Sequence, residues 1–352
     1  MHVSAILRSV PLFSGLTPAE IEGILGISRY VAFAPGTCLM RQGQAADGVF
    51  IVESGTAEVM TALPGGGELT LASVNAGTVL GEMALLDAGV RSATVVARTP
   101  VDGYWIDRDG FRMLLAQRNP AVFTVQGHIT LALCRRLREL NASIVAREPP
   151  TNDPRSLSAR EPPPIQRGNC RFDYHAFLPL LPVFRGLDGE DLEEMTAHAE
   201  VLDAPRGAVL VEQGAASVAC YIVVRGAIEV STQHGRGRHR IGILGPGRLC
   251  GHMGLIDGIP HTTTMAAREH ATLLEITKPE FERLYNGCER INAKFRDAIN
   301  RNLLEALAHT NNHLTRLISQ ARIRAQGARA IAELARMMAT QDCEVTAAGR
   351  SE

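Results

Sequence analysis

The sequence repeats itself once, at a spacing close to half its length. Val10-Pro11-Leu12-Phe13-Ser14-Gly15-Leu16 returns as Leu181-Pro182-Val183-Phe184-Arg185-Gly186-Leu187, with proline, phenylalanine, glycine and leucine all kept at an offset of 171. The same offset joins Gly36 to Gly207, Gly43 to Gly214 and Gly55 to Gly226; an offset of 170 then joins Gly77 to Gly247, Gly81 to Gly251, Leu85 to Leu255, Asp87 to Asp257 and Thr94 to Thr264. One residue has therefore been lost from a turn between the two groups. Solenoid repeats run about 20 to 50 residues, so a unit of this size is a whole domain and the chain is a tandem pair.

Composition agrees with two soluble copies. The chain has 352 residues, 45% of them apolar and 21% charged, with a mean hydropathy of +0.02. At about 150 residues per domain this predicts two domains, or three. No apolar run approaches the roughly 18 residues of a transmembrane helix. The segment Met1-His2-Val3-Ser4-Ala5-Ile6-Leu7-Arg8 lacks a basic stretch followed by an apolar core, so a cytoplasmic location is expected. Thirty-six basic against thirty-seven acidic residues leave a net charge of −1, which invites neither nucleic acid nor an anionic membrane. The seven cysteines are scattered and form no C-x-x-C pair, so they read as reduced thiols.

Residues 148–172 carry Pro149, Pro150, Pro154, Pro162, Pro163 and Pro164 with almost no large apolar residue, the composition of a semi-extended linker. Ala-Arg-Glu-Pro-Pro occurs there twice, from Ala146 and from Ala159, which reads as a local duplication of spacer sequence rather than a docking motif. Within each copy, apolar runs such as Val49-Phe50-Ile51-Val52 and Cys220-Tyr221-Ile222-Val223-Val224 are punctuated by glycine. Short strands joined by tight turns predict an antiparallel barrel or jelly roll. Helical periodicity follows. Val122, Val125, Ile129, Leu133, Leu137, Leu140 and Ile144 form one apolar stripe after Pro120, and Ile291, Phe295, Ile299, Leu303, Leu307, Leu314 and Ile318 form the second. Such a stripe packs on its own barrel or forms a dimer seam. Ala328 to Met338 reads as one short separate helix.

The segment Gly81-Glu82-Met83-Ala84-Leu85-Leu86-Asp87-Ala88-Gly89-Val90-Arg91-Ser92-Ala93-Thr94 carries the chemistry. Glycine permits close backbone approach, and one helical turn after it presents free N–H groups to an anion. Glu82 supplies an acceptor for a sugar hydroxyl and Arg91 a planar two-pronged donor for a phosphate. The residues alone point to a phosphorylated sugar; an exposed ion pair between Glu82 and Arg91 is the bland alternative.

The whole arrangement resembles the cyclic nucleotide-binding domain of the bacterial catabolite activators and of the regulatory subunits of cAMP-dependent protein kinase. Pro35-Gly36, Gly43 and Gly55 match the early strands, and Gly81 to Thr94 match the phosphate-binding cassette. Asn119-Pro120 and Arg135-Arg136-Leu137-Arg138-Glu139-Leu140-Asn141 resemble the bacterial branch. The resemblance implies that Glu82 takes the ribose 2′-hydroxyl, that Arg91 pairs with the cyclic phosphate, and that the backbone around Gly81, Met83, Ala84, Leu85 and Ser92 completes the cradle. By the same resemblance Ser92 leans toward cAMP over cGMP, and Leu140 or Asn141 lies near the base. No metal is implied.

The second cassette, Gly251 to Thr264, keeps the frame but has His252 in place of Glu82 and His261 in place of Arg91. Neutral imidazole offers no two-pronged cationic grip, so Gly251, His252, His261 and Thr262 are expected to form a degenerate site. Below its ordinary pKa of about 6.5, a charged His261 is expected to restore part of the anion binding. A metal held by Cys250, His252, His261 and His270 fits no standard zinc spacing.

The expected class is α+β, mainly β: two tandem jelly-roll barrels, each with N-terminal helices and a long C-terminal helix. The expected divisions are 1–147, an intact binding domain; 148–172, linker; 173–326, the degenerate domain; and 327–352, a helical or disordered tail. No helix-turn-helix is recognisable, and Arg135, Arg136 and Arg138 read as a solvated face rather than a DNA contact. Nor is there a P-loop, G-x-S-x-G or H-E-x-x-H motif, so no enzyme is expected. The expected function is a cyclic-nucleotide sensor signalling to an effector protein, with a homodimer through the long helices as a further expectation. The rivals are a Crp/Fnr-type regulator acting on DNA through an unrecognised element, and a ligand-free dimerising scaffold.

Overall fold

A computed structural model describes residues 5–62, 66–86, 89–148, 150, 162–168, 175–235 and 237–348, with Ile6, His175, Arg322 and 324–348 given as helical backbone alone. Asp87, Cys170, Cys343 and most of the second Ala-Arg-Glu-Pro-Pro repeat lie outside the described residues or side chains.

In the first copy α1 (Ala5–Ser9) and α2 (Pro18–Leu25) precede β1 (Ser28–Phe33), β2 (Cys38–Met40), β3 (Gly48–Ser54), β4 (Ala57–Ala62), β5 (Glu68–Val74), β6 (Val79–Leu80), β7 (Thr94–Ala97) and β8 (Val101–Asp107). Two helices follow, α3 (Arg108–Ala116) and α4 (Pro120–Val145). The second copy holds β9 (Gln166–Arg167), α5 (Gly189–Thr196), β10 (Glu200–Ala204), β11 (Val209–Val211), β12 (Ala219–Arg225), β13 (Ile228–His234), β14 (Gly237–Leu244), β15 (Leu249–Cys250), α6 (His252–Asp257), β16 (Thr264–Ala267), β17 (Ala271–Thr277), α7 (Lys278–Asn286) and α8 (Arg290–Ala348). Each copy is a jelly roll of two antiparallel sheets. The orders are β1-β8-β3-β6 and β2-β7-β4-β5 in the first, and β15-β12-β17-β10-β9 and β11-β16-β13-β14 in the second.

The repeated motifs have local physical causes. Pro11–Phe13 and Pro182–Phe184 are 3₁₀ turns that start on proline and bury Phe13 and Phe184. Gly55 (φ +90°) and Gly226 (φ +86°) turn the chain from one sheet to the other, between β3 and β4 and between β12 and β13; a Cβ there would lie 2.0 Å from the Pro100 carbonyl oxygen or 2.5 Å from that of His270. The change of offset falls in a hairpin. Ala62 pairs with Glu68 but Gln233 with Arg238, so the first turn is one residue longer. Helix starts are capped: the Thr17 hydroxyl accepts from the Glu20 N–H, Asp188 does the same for Asp191, and Asn119 Oδ1 accepts from the Ala121 N–H at 3.0 Å ahead of Pro120.

The apolar runs of the central strands are buried on both faces. Phe50 and Val52 point into the first barrel with Met40, Leu80 and Trp105, while Val49 and Ile51 join the layer beneath the helices. Cys220, Ile222 and Val224 divide from Tyr221 and Val223 in the same way. A period of two is thus present but masked by burial on both sides.

The layer beneath the helices is continuous between the copies. All seven residues of the α4 stripe are buried, and all but Ile144 share one cluster with Ile291, Phe295, Ile299, Leu303 and Leu307 of α8. The α4 stripe therefore packs on its own barrel and against α8 of the other copy within one chain. Polar groups are buried in this seam, where Thr130 Oγ1 donates to Asn300 Oδ1 at 2.8 Å and the Arg296 guanidinium lies 4.4 Å from the Phe123 ring centroid.

Three sequence expectations change. Part of the Pro-rich segment is structured: Gln166 and Arg167 form β9 on the edge of β10, and Arg167 reaches Glu200 and the buried Glu275. Ala328 to Met338 is not a separate helix but continues α8, whose 59 residues enlarge the helical share of the fold. Arg138 is not on a solvated face, as described below. Cys38, Cys134, Cys220, Cys250 and Cys288 are free thiols. Among the described residues no helix is long and apolar enough to cross a membrane.

Candidate functional site

The first cassette starts where β6 ends. Gly81 adopts φ +75°, and the chain then makes a 3₁₀ turn over Glu82–Leu85 in which the Ala84 N–H donates to the Gly81 carbonyl at 3.0 Å. Ala84, Leu85 and Leu86 are buried and anchor the turn, Met83 packs at the edge of the same cluster, and Glu82 is half-buried. A Cβ on Gly81 would lie 2.3 Å from Arg91 Nη1, so the arginine can pass this close only because residue 81 is glycine.

Arg91 is built in from both sides. Its N–H donates to the Gln44 carbonyl at 2.8 Å, its carbonyl accepts from the Gly43 N–H at 2.9 Å, and its side chain is only 6% exposed. Nη2 pairs with Asp47 Oδ1 at 2.8 Å, Nη1 lies 3.5 Å from the Gly81 carbonyl oxygen, and the guanidinium stands 5.5 Å from the Trp105 ring centroid. The bland reading, an exposed pair with Glu82, is thus replaced by a buried cation aimed by Asp47 and Trp105. Ser92 is exposed beside it. Burial pushes the Glu82 carboxyl above its ordinary range, offset in part by its own N–H and by the positive charges of Arg136 and Arg91. Asn141 lies on α4 with Oδ1 buried and unpaired, and among the described residues no hydrogen bond joins it to the cassette.

Asp47 and Trp105 are not singled out by sequence reasoning, and Arg136 is read there only as part of a solvated face. The repeat itself holds a signal for the first: at the offset of 171, Asp47 corresponds to Val218, so the arginine and its carboxylate are absent together from the second copy.

The second cassette keeps the frame. Gly251 has φ +82°, and His261 repeats the backbone bonds of Arg91, donating to the Ala215 carbonyl at 3.0 Å and accepting from the Gly214 N–H at 2.7 Å. The interior differs. A Cβ on Gly254, which stands where Ala84 does, would lie 1.9 Å from Ser217 Oγ, and Ser217 in turn lies 3.1 Å from His261 Nε2. His252 is buried with both ring nitrogens unpaired. Burial and the nearby Arg138 charge push its pKa down to about 4, against a smaller upward pull from Asp257. The same causes lower His261. The expected acid gain of a charged His261 below pH 6.5 is corrected accordingly: its protonation is displaced to more acid pH by desolvation and by a neighbouring cation. His270 sits apart, bonded to Asp203 at 3.0 Å, and among the described residues no group of three or more His, Cys, Asp or Glu side chains converges as metal ligands.

Arg138 of α4 reaches this second cassette. Its Nε and Nη2 donate to Asp257 Oδ2 and Oδ1 at 2.9 and 3.0 Å, and Nη1 donates to Thr262 Oγ1 at 2.9 Å.

The family model of the cyclic nucleotide-binding domain matches residues 30–118 and again 201–288, one match on each barrel and its cassette. The chain belongs to the cyclic nucleotide-binding domain family. Among its relatives is the cyclic AMP receptor protein of Thermus thermophilus, 32% identical over 39% of this chain and 62% of that protein. The acetyltransferase Pat of Mycolicibacterium smegmatis is 37% identical over 32% of this chain and 33% of that one. The cAMP-dependent protein kinase regulatory subunit of Aspergillus niger is 36% identical over 32% and 26%. The chain thus spans less than two thirds of the length of each of these relatives. In this family's terms, the two copies are one binding domain with Glu82 and Arg91 in its cassette and one with histidines in their places.

Proposed function

We propose that the chain is a cyclic-nucleotide sensor in which the first copy binds the ligand, cAMP in preference to cGMP, and α4 passes the event to a partner protein. The observation that carries this reading is Arg91: a nearly buried guanidinium, aimed by Asp47 and Trp105 and flanked by Gly81, in a cassette of the cyclic nucleotide-binding family. A cyclic phosphate would take the two-pronged donor set of Arg91, with the N–H groups of the turn after Gly81 completing the cradle. Glu82, one residue on, would accept from the ribose 2′-hydroxyl, and Ser92 favours cAMP by its family resemblance. The catabolite-activator and kinase-regulatory relatives, named for cyclic AMP, support the ligand class. The second copy, with histidines in both charged places and Val218 in place of Asp47, is read as a copy that does not bind nucleotide tightly. No catalytic step is assigned to either cassette.

The direct test is calorimetry of the full chain with cAMP and with cGMP. Saturable binding that is tighter for cAMP supports the reading, and absence of binding for both nucleotides overturns it. The DNA-binding rival loses part of its basic patch, because Arg138 is committed to Asp257 and only Arg135 and Arg136 of that group face solvent. Electrophoretic mobility of DNA at low salt, where phosphate contacts are strongest, separates that rival from the sensor.

A further inference from the structure

The second cassette is not an empty remnant: a side chain from the other copy is seated on it. Asp257, the last residue of α6, has a side chain only 1% exposed, and Arg138 is 15% exposed. The pairing uses both carboxylate oxygens in the planar fork geometry that only arginine offers. The third donor goes to Thr262, which stands where Ser92 stands in the first cassette. Farther along, Glu148 accepts from His313 Nε2 at 2.8 Å, and a Cβ on Gly237 would come 2.6 Å from Pro150 Cγ. The C-terminal half of α4 is therefore tied to the second copy through Arg138, and the chain just beyond the helix lies against that copy at Glu148 and Pro150. The same helix also packs on the Glu82–Leu85 turn of its own copy, and the positive charge of Arg136 acts on Glu82. Arg136 and Arg138 are two residues apart on one helix: Arg138 is bonded into the second cassette, while Arg136 pairs with Glu139 on its own helix and its charge acts on Glu82 of the first.

We propose that the second cassette works as an intramolecular receptor for the Arg138 guanidinium, and that this clasp is thermodynamically linked to nucleotide binding in the first cassette. The link rests on the sensor reading above. An arriving cyclic phosphate adds negative charge beside the basic run of α4 and draws it toward the first cassette and off Asp257. Binding and clasp then oppose one another, and by linkage a chain relieved of the clasp binds nucleotide more tightly. On this account the copy that lost Glu82 and Arg91 keeps its cassette frame because it holds an internal ligand, and α6 becomes the element that moves when the first site fills.

The experiment uses the full chain as wild type, Arg138→Gln, Asp257→Asn, the double variant and Arg135→Gln as an exposed control. Asp257→Asn is nearly isosteric and keeps the oxygen that accepts from the Ile259 N–H at 3.1 Å, so it tests the charge without removing the local turn. Amide hydrogen exchange over 252–258 is expected to rise at least fivefold in each single variant, no further in the double, and not at all in Arg135→Gln. Calorimetry is expected to show cAMP bound at least threefold more tightly by Asp257→Asn than by wild type. Unchanged exchange in both single variants overturns the clasp. Raised exchange with unchanged or weaker cAMP affinity overturns the link. A wild-type chain that binds neither cAMP nor cGMP removes the sensor reading and the link with it, while the exchange data still decide the clasp.

Discussion

Arg91 and His261 occupy the same backbone frame and differ in what surrounds them. Arg91 has Asp47 and Trp105, whereas His261 has Ser217 and a nearby arginine. If Arg91 holds the phosphate, Arg91→Ala removes a charge-assisted interaction worth about 1.5–3 kcal/mol, a loss of roughly tenfold to a hundredfold in affinity. Arg91→Lys should recover little of it, since a point charge does not replace the fork; calorimetry of both variants checks the pair of outcomes. His252 leads to a stability prediction. Its folded pKa of about 4 lies below the ordinary 6.5, so between these values the unfolded chain takes up the proton and the folded chain does not. Stability contributed by neutral His252 is full above about pH 6.5 and declines as the pH falls toward 4, by roughly 2 kcal/mol at pH 5. Denaturant unfolding at pH 7.5 and pH 5 should show a larger acid loss for wild type than for His252→Gln. Equal losses would mean that the imidazole is solvated in the folded chain. Asp257 in α6 and Arg138 from α4 are the charges facing this ring.

At the scale of the element, the two cassette turns diverge for a packing reason. The first is a short 3₁₀ turn with Ala84 at its centre, and the second is an α-helix with Gly254 there. Ser217 fills the space that a methyl group at residue 254 would need, while its counterpart at the same offset is Ala46. Gly254→Ala should therefore destabilise the second copy by about 1–3 kcal/mol through overpacking, and Ser217→Ala should relieve part of that loss in the double variant. Thermal unfolding of the two singles and the double tests this, and strict additivity would count against the contact. The strands and turns were legible because their determinants are local: proline starting the 3₁₀ turns and the long α4, and glycines at positive φ. The end of α8 was not legible, because nothing in the alanine-rich and arginine-rich stretch from Ala328 to Met338 marks a start distinct from the helix before it.

For the whole molecule the prediction is one tightly bound nucleotide per chain, since only the first cassette keeps the glutamate and arginine. A calorimetric stoichiometry of two, with both sites tight, would show that the histidine cassette uses other contacts. The duplicated plan, the two barrels, the two apolar helices and the copy that retained the charged pair were all open to reading from sequence. Each follows from residue type and spacing: a positive-φ glycine, a proline at a helix start, or an apolar step of three or four constrains the backbone within a few residues of itself. The tertiary structure alone decided which surfaces meet. An apolar stripe demands burial without naming its partner, so the union of α4 with α8 across the two copies could not be read from the period of either. A charged side chain is equally silent about remote company. Arg138 belongs to Asp257 across 119 residues of chain and Arg91 to Asp47 across 44, because Coulomb attraction and fork geometry act through space once folding has brought the groups within 3 Å or less.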